Sequence, residues 1–131
     1  MLIQQRAWHK YHCGGLWANT CCSHPWPGED IGACAATRLL EETGIVHHAL
    51  RHHHDFVYFT KFSENLYEYE YDHVFIGEYE GSFTANPAEV EQLRWISLTD
   101  LRTELVEAPE KYAPWFLICA PKVLNTIFER L

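Results

Sequence analysis

Gly28-Glu29-Asp30-Ile31-Gly32-Ala33-Cys34-Ala35-Ala36-Thr37-Arg38-Leu39-Leu40-Glu41-Glu42-Thr43-Gly44 carries its own punctuation. Asp30 is a suitable N-cap, Ile31, Ala35 and Leu39 recur at helical spacing, and Gly44 stands where a helix can end on a left-handed residue. The spacing predicts a helix over about 31–43. Glu41 and Glu42 then fall in its last turn, where the macrodipole is negative and an exposed carboxylate costs about 0.3–1 kcal/mol. A bound cation would reverse that cost; a solvated acidic pair would simply bear it.

Just upstream, Asn19-Thr20-Cys21-Cys22-Ser23-His24-Pro25 sets a thiol and an imidazole two residues apart. On an extended segment Cys22 and His24 share one face, an arrangement suited to acid–base chemistry, and Cys21 points to the other face, toward the core. A small buried Cys followed by a His before a turn-forming Pro is the plainer reading of the same residues.

Downstream, Leu66-Tyr67-Glu68-Tyr69-Glu70-Tyr71-Asp72 alternates strictly. One strand face carries Tyr67, Tyr69 and Tyr71 and the other Glu68, Glu70 and Asp72, with successive carboxylate positions about 7 Å apart along the backbone. A half-buried strand with a solvated acidic face fits this pattern. So does a metal or proton site, because lined-up like charges repel and a cation or shared proton relieves them.

The rest of the chain reads as mixed α and β. Strands are expected at 2–7 and 16–22 around the Gly14-Gly15 turn, near 54–62 and 66–78, and in a short segment ending at Trp95-Ile96. Helical segments begin near 98 and 114. At 131 residues, with 47% hydrophobic and 15% aromatic residues, residues 1–131 are expected to form one domain. The net charge of −8 gives a nucleic-acid partner no general support. No apolar run approaches membrane-spanning length, and five cysteines without a Cys-x-x-Cys pair point to reduced thiols, so a cytoplasmic protein is expected. Cys13, Cys34 and Cys119 receive no role. His47, His48 and His52 to His54 are read as a polar helix-to-strand connection with adventitious metal affinity.

Arg6-Ala-Trp-His-Lys10, Leu16-Trp-Ala-Asn19, Cys22-Ser-His-Pro25, Gly28-Glu29, Leu40-Glu-Glu-Thr-Gly44, Phe56-Val-Tyr58, Glu68-Tyr-Glu70, Trp95-Ile-Ser-Leu and Ala113-Pro-Trp115, in this order, resemble type 1 isopentenyl-diphosphate isomerase, an enzyme of isoprenoid biosynthesis on a Nudix fold. The resemblance implies an α+β, Nudix-like α/β/α sandwich with a mixed β-sheet. It also implies a small prenyl diphosphate as substrate, while net charge and hydropathy lead to the expectation of neither nucleic acid nor membrane as partner.

By the same resemblance, Cys22 and Glu70 are the acid–base pair. Tyr58 assists near Glu70, and the Trp115 face stabilises a carbocation, an effect of about 2 kcal/mol or more in a dry pocket. Arg6, Lys10 and Arg38 clamp the diphosphate. Glu42 binds Mg2+, and His24, Glu68 and Glu70 bind a second divalent metal, Mn2+ or Zn2+. Thr37-Arg38 stands where the hydrolases of this fold carry Arg-Glu, which disfavours a Nudix-type diphosphate hydrolase. The family's preceding segment, with two further His ligands, is absent from this sequence. An N-terminally truncated domain is therefore expected, with an inactive prenyl-diphosphate-binding remnant as the remaining alternative.

Overall fold

A computed structural model describes residues 1–10, 12–22, 25, 27–47 and 49–130, with the backbone alone at Phe62. His24 and His48, both named above, lie outside the described residues. The elements are β1 (Leu2–Arg6), β2 (Trp17–Ala18), α1 (Ile31–Thr43), β3 (Arg51–Ser63), β4 (Leu66–Ile76), β5 (Val90–Trp95), α2 (Leu98–Glu107), a 3-10 turn (Pro109–Lys111) and α3 (Pro114–Glu129).

Strand β1 is the centre of a three-stranded sheet, antiparallel to β2 through Gln4↔Ala18 and to β5 through Leu2↔Trp95 and Gln4↔Leu93. Its side chains alternate between two cores, as a strand buried on both faces must. Ile3 joins Phe56, Tyr58, Leu101, Phe116 and Leu124 on the side of α2 and α3. Leu2 joins Leu39, Ile45, Val90 and Leu93 on the side of α1. Helices therefore cover both faces, the α/β/α layering expected from the sequence.

Strands β3 and β4 form a separate antiparallel hairpin. Every strand pair among the described residues is antiparallel. The parallel contribution is one bridge, Trp17↔Tyr112. Beside it, Ala113 N–H donates to the Trp17 carbonyl at 2.8 Å, which fixes where α3 begins.

Two expected boundaries shift for identifiable reasons. The strand expected over 16–22 stops at Ala18 because side chains replace the ladder beyond it. Asn19 Nδ2 donates to the Cys21 carbonyl at 2.6 Å, Thr20 Oγ1 to the Leu2 carbonyl at 2.5 Å, and Gln4 Nε2 to the Thr20 carbonyl at 2.9 Å. Conversely, β3 starts at Arg51, so His52 to His54 belong to a strand and not to a connection.

Helix α1 matches its sequence punctuation. The Asp30 carboxylate accepts from Ala33 N–H at 2.8 Å, and Gly44 closes the helix at φ +70°, its N–H donating to the Leu40 carbonyl. A Cβ on Gly44 would meet Thr84 at 3.6 Å, an ordinary contact, so the penalty for a side chain there is conformational rather than steric. Gly44→Ala is expected to destabilise the fold by about 1–2 kcal/mol, read as a lower urea midpoint with an unchanged m-value.

Candidate active site

The hairpin places its acidic face inward. Tyr67, Tyr69 and Tyr71 are 63%, 74% and 61% exposed, whereas Glu68, Glu70 and Asp72 turn toward the protein. Register explains this inversion of the usual polarity. Glu68, Glu70 and Asp72 lie opposite Thr60, Tyr58 and Phe56, and the last two of these are anchored in the α3-side core. Once those two rings are buried, the carboxylates paired with them have no other face to occupy.

Crowding marks the result. Burial raises the Glu70 carboxyl to about 7, with the charges of Asp72 and Glu68 adding to it. His12 Nε2 lies 2.5 Å from Glu68 Oε1, with both side chains largely buried. Sequence reasoning missed His12. Its one signal was position, two residues beyond Lys10 and two before the Gly14-Gly15 turn.

Across the cleft, one oxygen ties together two distant parts of the chain. Asn19 Oδ1 accepts from Cys22 Sγ at 3.2 Å and from Trp115 Nε1 at 3.1 Å. The Trp17–Ala113 contact brings α3 close enough for this, so the Cys22 thiol and the Trp115 indole are aligned by a single amide. Asn19 was quoted in the sequence motif without a role; nothing in sequence spacing reveals a bond to a residue 96 positions away.

Trp115 meets Tyr58 edge-on at 6.2 Å and His12 at 6.1 Å between centroids, and the Arg6 guanidinium lies 5.0 Å over its ring. The buried Tyr58 hydroxyl makes no hydrogen bond among the described residues, so a bond from it to Glu70 is not part of this arrangement. Burial, reinforced by the negative charge of Glu42, pushes the Cys22 thiol up to about 12. Cys21 faces the other way, as expected, and packs against the α1-side core.

The cationic residues are unequally engaged. Arg6 is buried, and its Nε and that of Arg38 are buried without hydrogen-bond partners among the described residues. Arg38 otherwise reaches Glu41 at 2.6 Å and Glu42 at 3.2 Å, and Lys10 pairs with Glu89. Glu41 and Glu42 are not a solvated pair. Glu41 is exposed, but Glu42 is 1% exposed and also accepts from Gln4 Nε2 at 3.0 Å. Arg6, Lys10, Arg38, Cys22, Glu68, Glu70 and Trp115 all line one cleft of about 1110 Å³.

Comparison with known proteins gives this cleft its context. The NUDIX domain profile matches residues 1–116. The chain is 44% identical over 125 residues to "Isopentenyl-diphosphate Delta-isomerase 2" of Aromatoleum aromaticum, covering 95% of this chain and 66% of that protein. It is 41% identical over 130 residues to the isopentenyl-diphosphate Delta-isomerase of Rhodobacter capsulatus, covering 98% of this chain and 74% of that one. With the enzyme of the same name from Photobacterium profundum it shares 43% identity over 132 residues, 99% of this chain and 71% of the relative. The chain belongs to the isopentenyl-diphosphate Delta-isomerase family.

Isomerases of this family use divalent metals, and the donor set fits such an ion. Glu68 and Glu70 share one strand face, Glu70 with its carboxyl raised chiefly by burial and then by the charges of Asp72 and Glu68, and the buried His12 imidazole lies against Glu68. Oxygen donors of this kind suit Mg2+ and Mn2+, and an added imidazole extends the range to Zn2+.

The state of the thiol is directly testable. Relative to an ordinary thiol near 9, a Cys22 held at about 12 presents roughly a thousandfold less thiolate near neutral pH. In the native protein Cys22 is therefore expected to be alkylated by iodoacetamide at pH 8 at least about a hundredfold more slowly than in urea, as read by peptide mass spectrometry.

Proposed function

We propose that this chain interconverts isopentenyl diphosphate and dimethylallyl diphosphate by protonation and deprotonation. The observation that carries the reading is the convergence, in one cleft, of a neutral half-buried thiol, a carboxyl poised near 7, an indole face and two arginines whose buried Nε–H groups have no partner among the described residues. Moving the double bond requires a proton to be added at the terminal CH2 and another to be removed from the carbon on the far side of the branched one. Between these events the branched carbon is cationic.

Cys22 and Glu70 are assigned the two proton transfers. Both can be uncharged near neutral pH, which lets either donate, and Glu70 at about 7 can equally accept. Trp115 supplies the electron-rich wall. Arg6 already covers one side of that ring, so the cation is assigned to the other side. Tyr58, edge-on to Trp115 and cross-strand from Glu70, keeps this wall dry and in place. Arg6, Arg38 and Lys10 bind the diphosphate, Lys10 by exchanging its partner Glu89 for phosphate oxygen.

Glu68 and Glu70, with His24, are assigned to Mn2+ or Zn2+, and Glu42 to Mg2+. An ion at the first set would relieve the repulsion between the carboxylates and orient Glu70. Glu42 can join Mg2+ only by loosening its contacts to Arg38 and Gln4, so its site is assigned to the diphosphate-bound state. Five free cysteines fit a reducing compartment, and the cytoplasm is the assigned location. No helix among the described residues is long and apolar enough to cross a membrane.

Proton NMR of isopentenyl diphosphate in heavy water with Mg2+ and Mn2+ tests the proposal. The wild-type chain is expected to carry deuterium into substrate and dimethylallyl product. Cys22→Ala and Glu70→Gln should each lose at least about a hundredfold in rate. Phosphate release that survives Cys22→Ala would instead establish the hydrolase reading favoured by the fold alone. Asn19→Ala removes the shared acceptor of thiol and indole, and with it two hydrogen bonds, and should lower kcat at least about tenfold, with KM little changed because the diphosphate clamp is untouched.

A further inference from the structure

On the outer face of the hairpin, opposite Glu68 and Glu70, three side chains converge that the reading above leaves unused. His52 Nε2 lies 2.6 Å and His73 Nδ1 2.7 Å from the same oxygen, Asp55 Oδ1. The ligand atoms of all three lie within 4.8 Å of one another. Tyr71 donates its hydroxyl to the other oxygen, Asp55 Oδ2, at 3.1 Å, which fixes the carboxylate plane and leaves Oδ1 to the two imidazoles.

This grouping does not follow from simple alternation. Residues 52 and 55 are three apart, and on a regular strand they would face opposite sides. The β3–β4 register shifts between His52 and His54, so that His52 pairs with Phe75 while Asp55 pairs with His73. The extra residue on β3 turns His52 onto the outer face, where its ring meets Phe75 edge-on at 5.6 Å and His73 at 6.4 Å between centroids. A bulge of this kind re-aims a side chain, and here it completes a set of two nitrogens and one oxygen drawn from both strands.

We propose that His52, Asp55 and His73 form a second metal site, distinct from Glu68 and Glu70, that takes a divalent transition ion of the Zn2+ or Ni2+ class and clasps β3 to β4. Two imidazoles and a carboxylate are the donor types these ions prefer over Mg2+ or Ca2+. Donor atoms around a tetrahedral zinc stand about 3.3 Å apart, so the present spacing needs only small side-chain rotations to admit one. The clasp would sit on the hairpin that carries Tyr58, Glu68 and Glu70 on its inner side, and would stiffen that platform from behind.

Calorimetric titration of the EDTA-stripped full chain with Zn2+ and with Ni2+ tests this, beside His73→Gln, Asp55→Asn and the control His53→Gln. Wild type and His53→Gln are expected to bind one more equivalent than either His73→Gln or Asp55→Asn. Zn2+ should slow amide exchange of residues 52–56 and 71–75 at least about tenfold in wild type and not in the two site variants. Equal stoichiometry in all four proteins would overturn the proposal and leave the three side chains as a hydrogen-bonded clasp only. Loss of the equivalent in His53→Gln but not in Asp55→Asn would overturn it too, by placing the ion on the neighbouring histidines. Circular dichroism of each variant at the titration temperature confirms that the comparison is made between folded chains.

Discussion

Burying Phe56 and Tyr58 commits the hairpin to an unfavourable-looking arrangement on which the rest of the site depends. Their rings belong to the α3-side core, and antiparallel register then forces Asp72 and Glu70 onto the same inward face. The carboxylates are less solvated than they would be outside, and exposing three tyrosines on the other face gives up apolar burial as well. A one-residue slip would reverse both losses at once, but it would also pull Phe56 and Tyr58 out of the core. Two large aromatic side chains, each worth roughly 1.5–3 kcal/mol when fully buried, resist that slip. The strained electrostatics of the cleft are thus sustained by packing several residues away, the pattern seen where function and local stability conflict.

This explains which parts of the fold the sequence disclosed. The bounds of α1 and its two caps were legible because each depends on residues within the helix itself: Asp30 at one end, Gly44 at the other and an apolar stripe between. The alternation in β4 was equally plain, but its direction was not. A strand with tyrosines on one side and carboxylates on the other is amphipathic either way, and only its partner strand decides which face is buried. The segment after Ala18 misled for the opposite reason. Its composition suits a strand, yet Asn19, Thr20 and Gln4 satisfy the backbone with side chains, a competition that depends on β1 lying alongside.

Site residues divide along the same line. Those whose chemistry is written in their type and spacing, Cys22, Glu68 and Glu70, were open to sequence reasoning as candidates, and Arg38 only through the family resemblance. Those whose importance lies in whom they touch were not. Asn19 matters because its amide oxygen is shared by Cys22 and Trp115, and His12 because it sits against Glu68. Asp55 directly follows histidines read as an undifferentiated polar run, and its pairing with His73 depends on a register that no local pattern encodes.

The electrostatics of the cleft favour a proton relay over a nucleophile. A thiol activated for attack is usually lowered by a neighbouring cation or helix N-terminus, but here burial and Glu42 raise Cys22 to about 12, with Arg6 opposing them only in part. A thiolate held beside a forming carbocation would be prone to capture it as a covalent adduct. A protonated thiol can lend its proton and recover it without a persistent negative charge in the apolar part of the cleft. Glu70 occupies the complementary position, near 7, where either proton state is accessible at little energetic cost. The same crowding that makes β4 an awkward strand, added to burial, lifts Glu70 into the neutral range, while burial and Glu42 keep Cys22 protonated, so one group can take or give a proton while the other holds one in reserve.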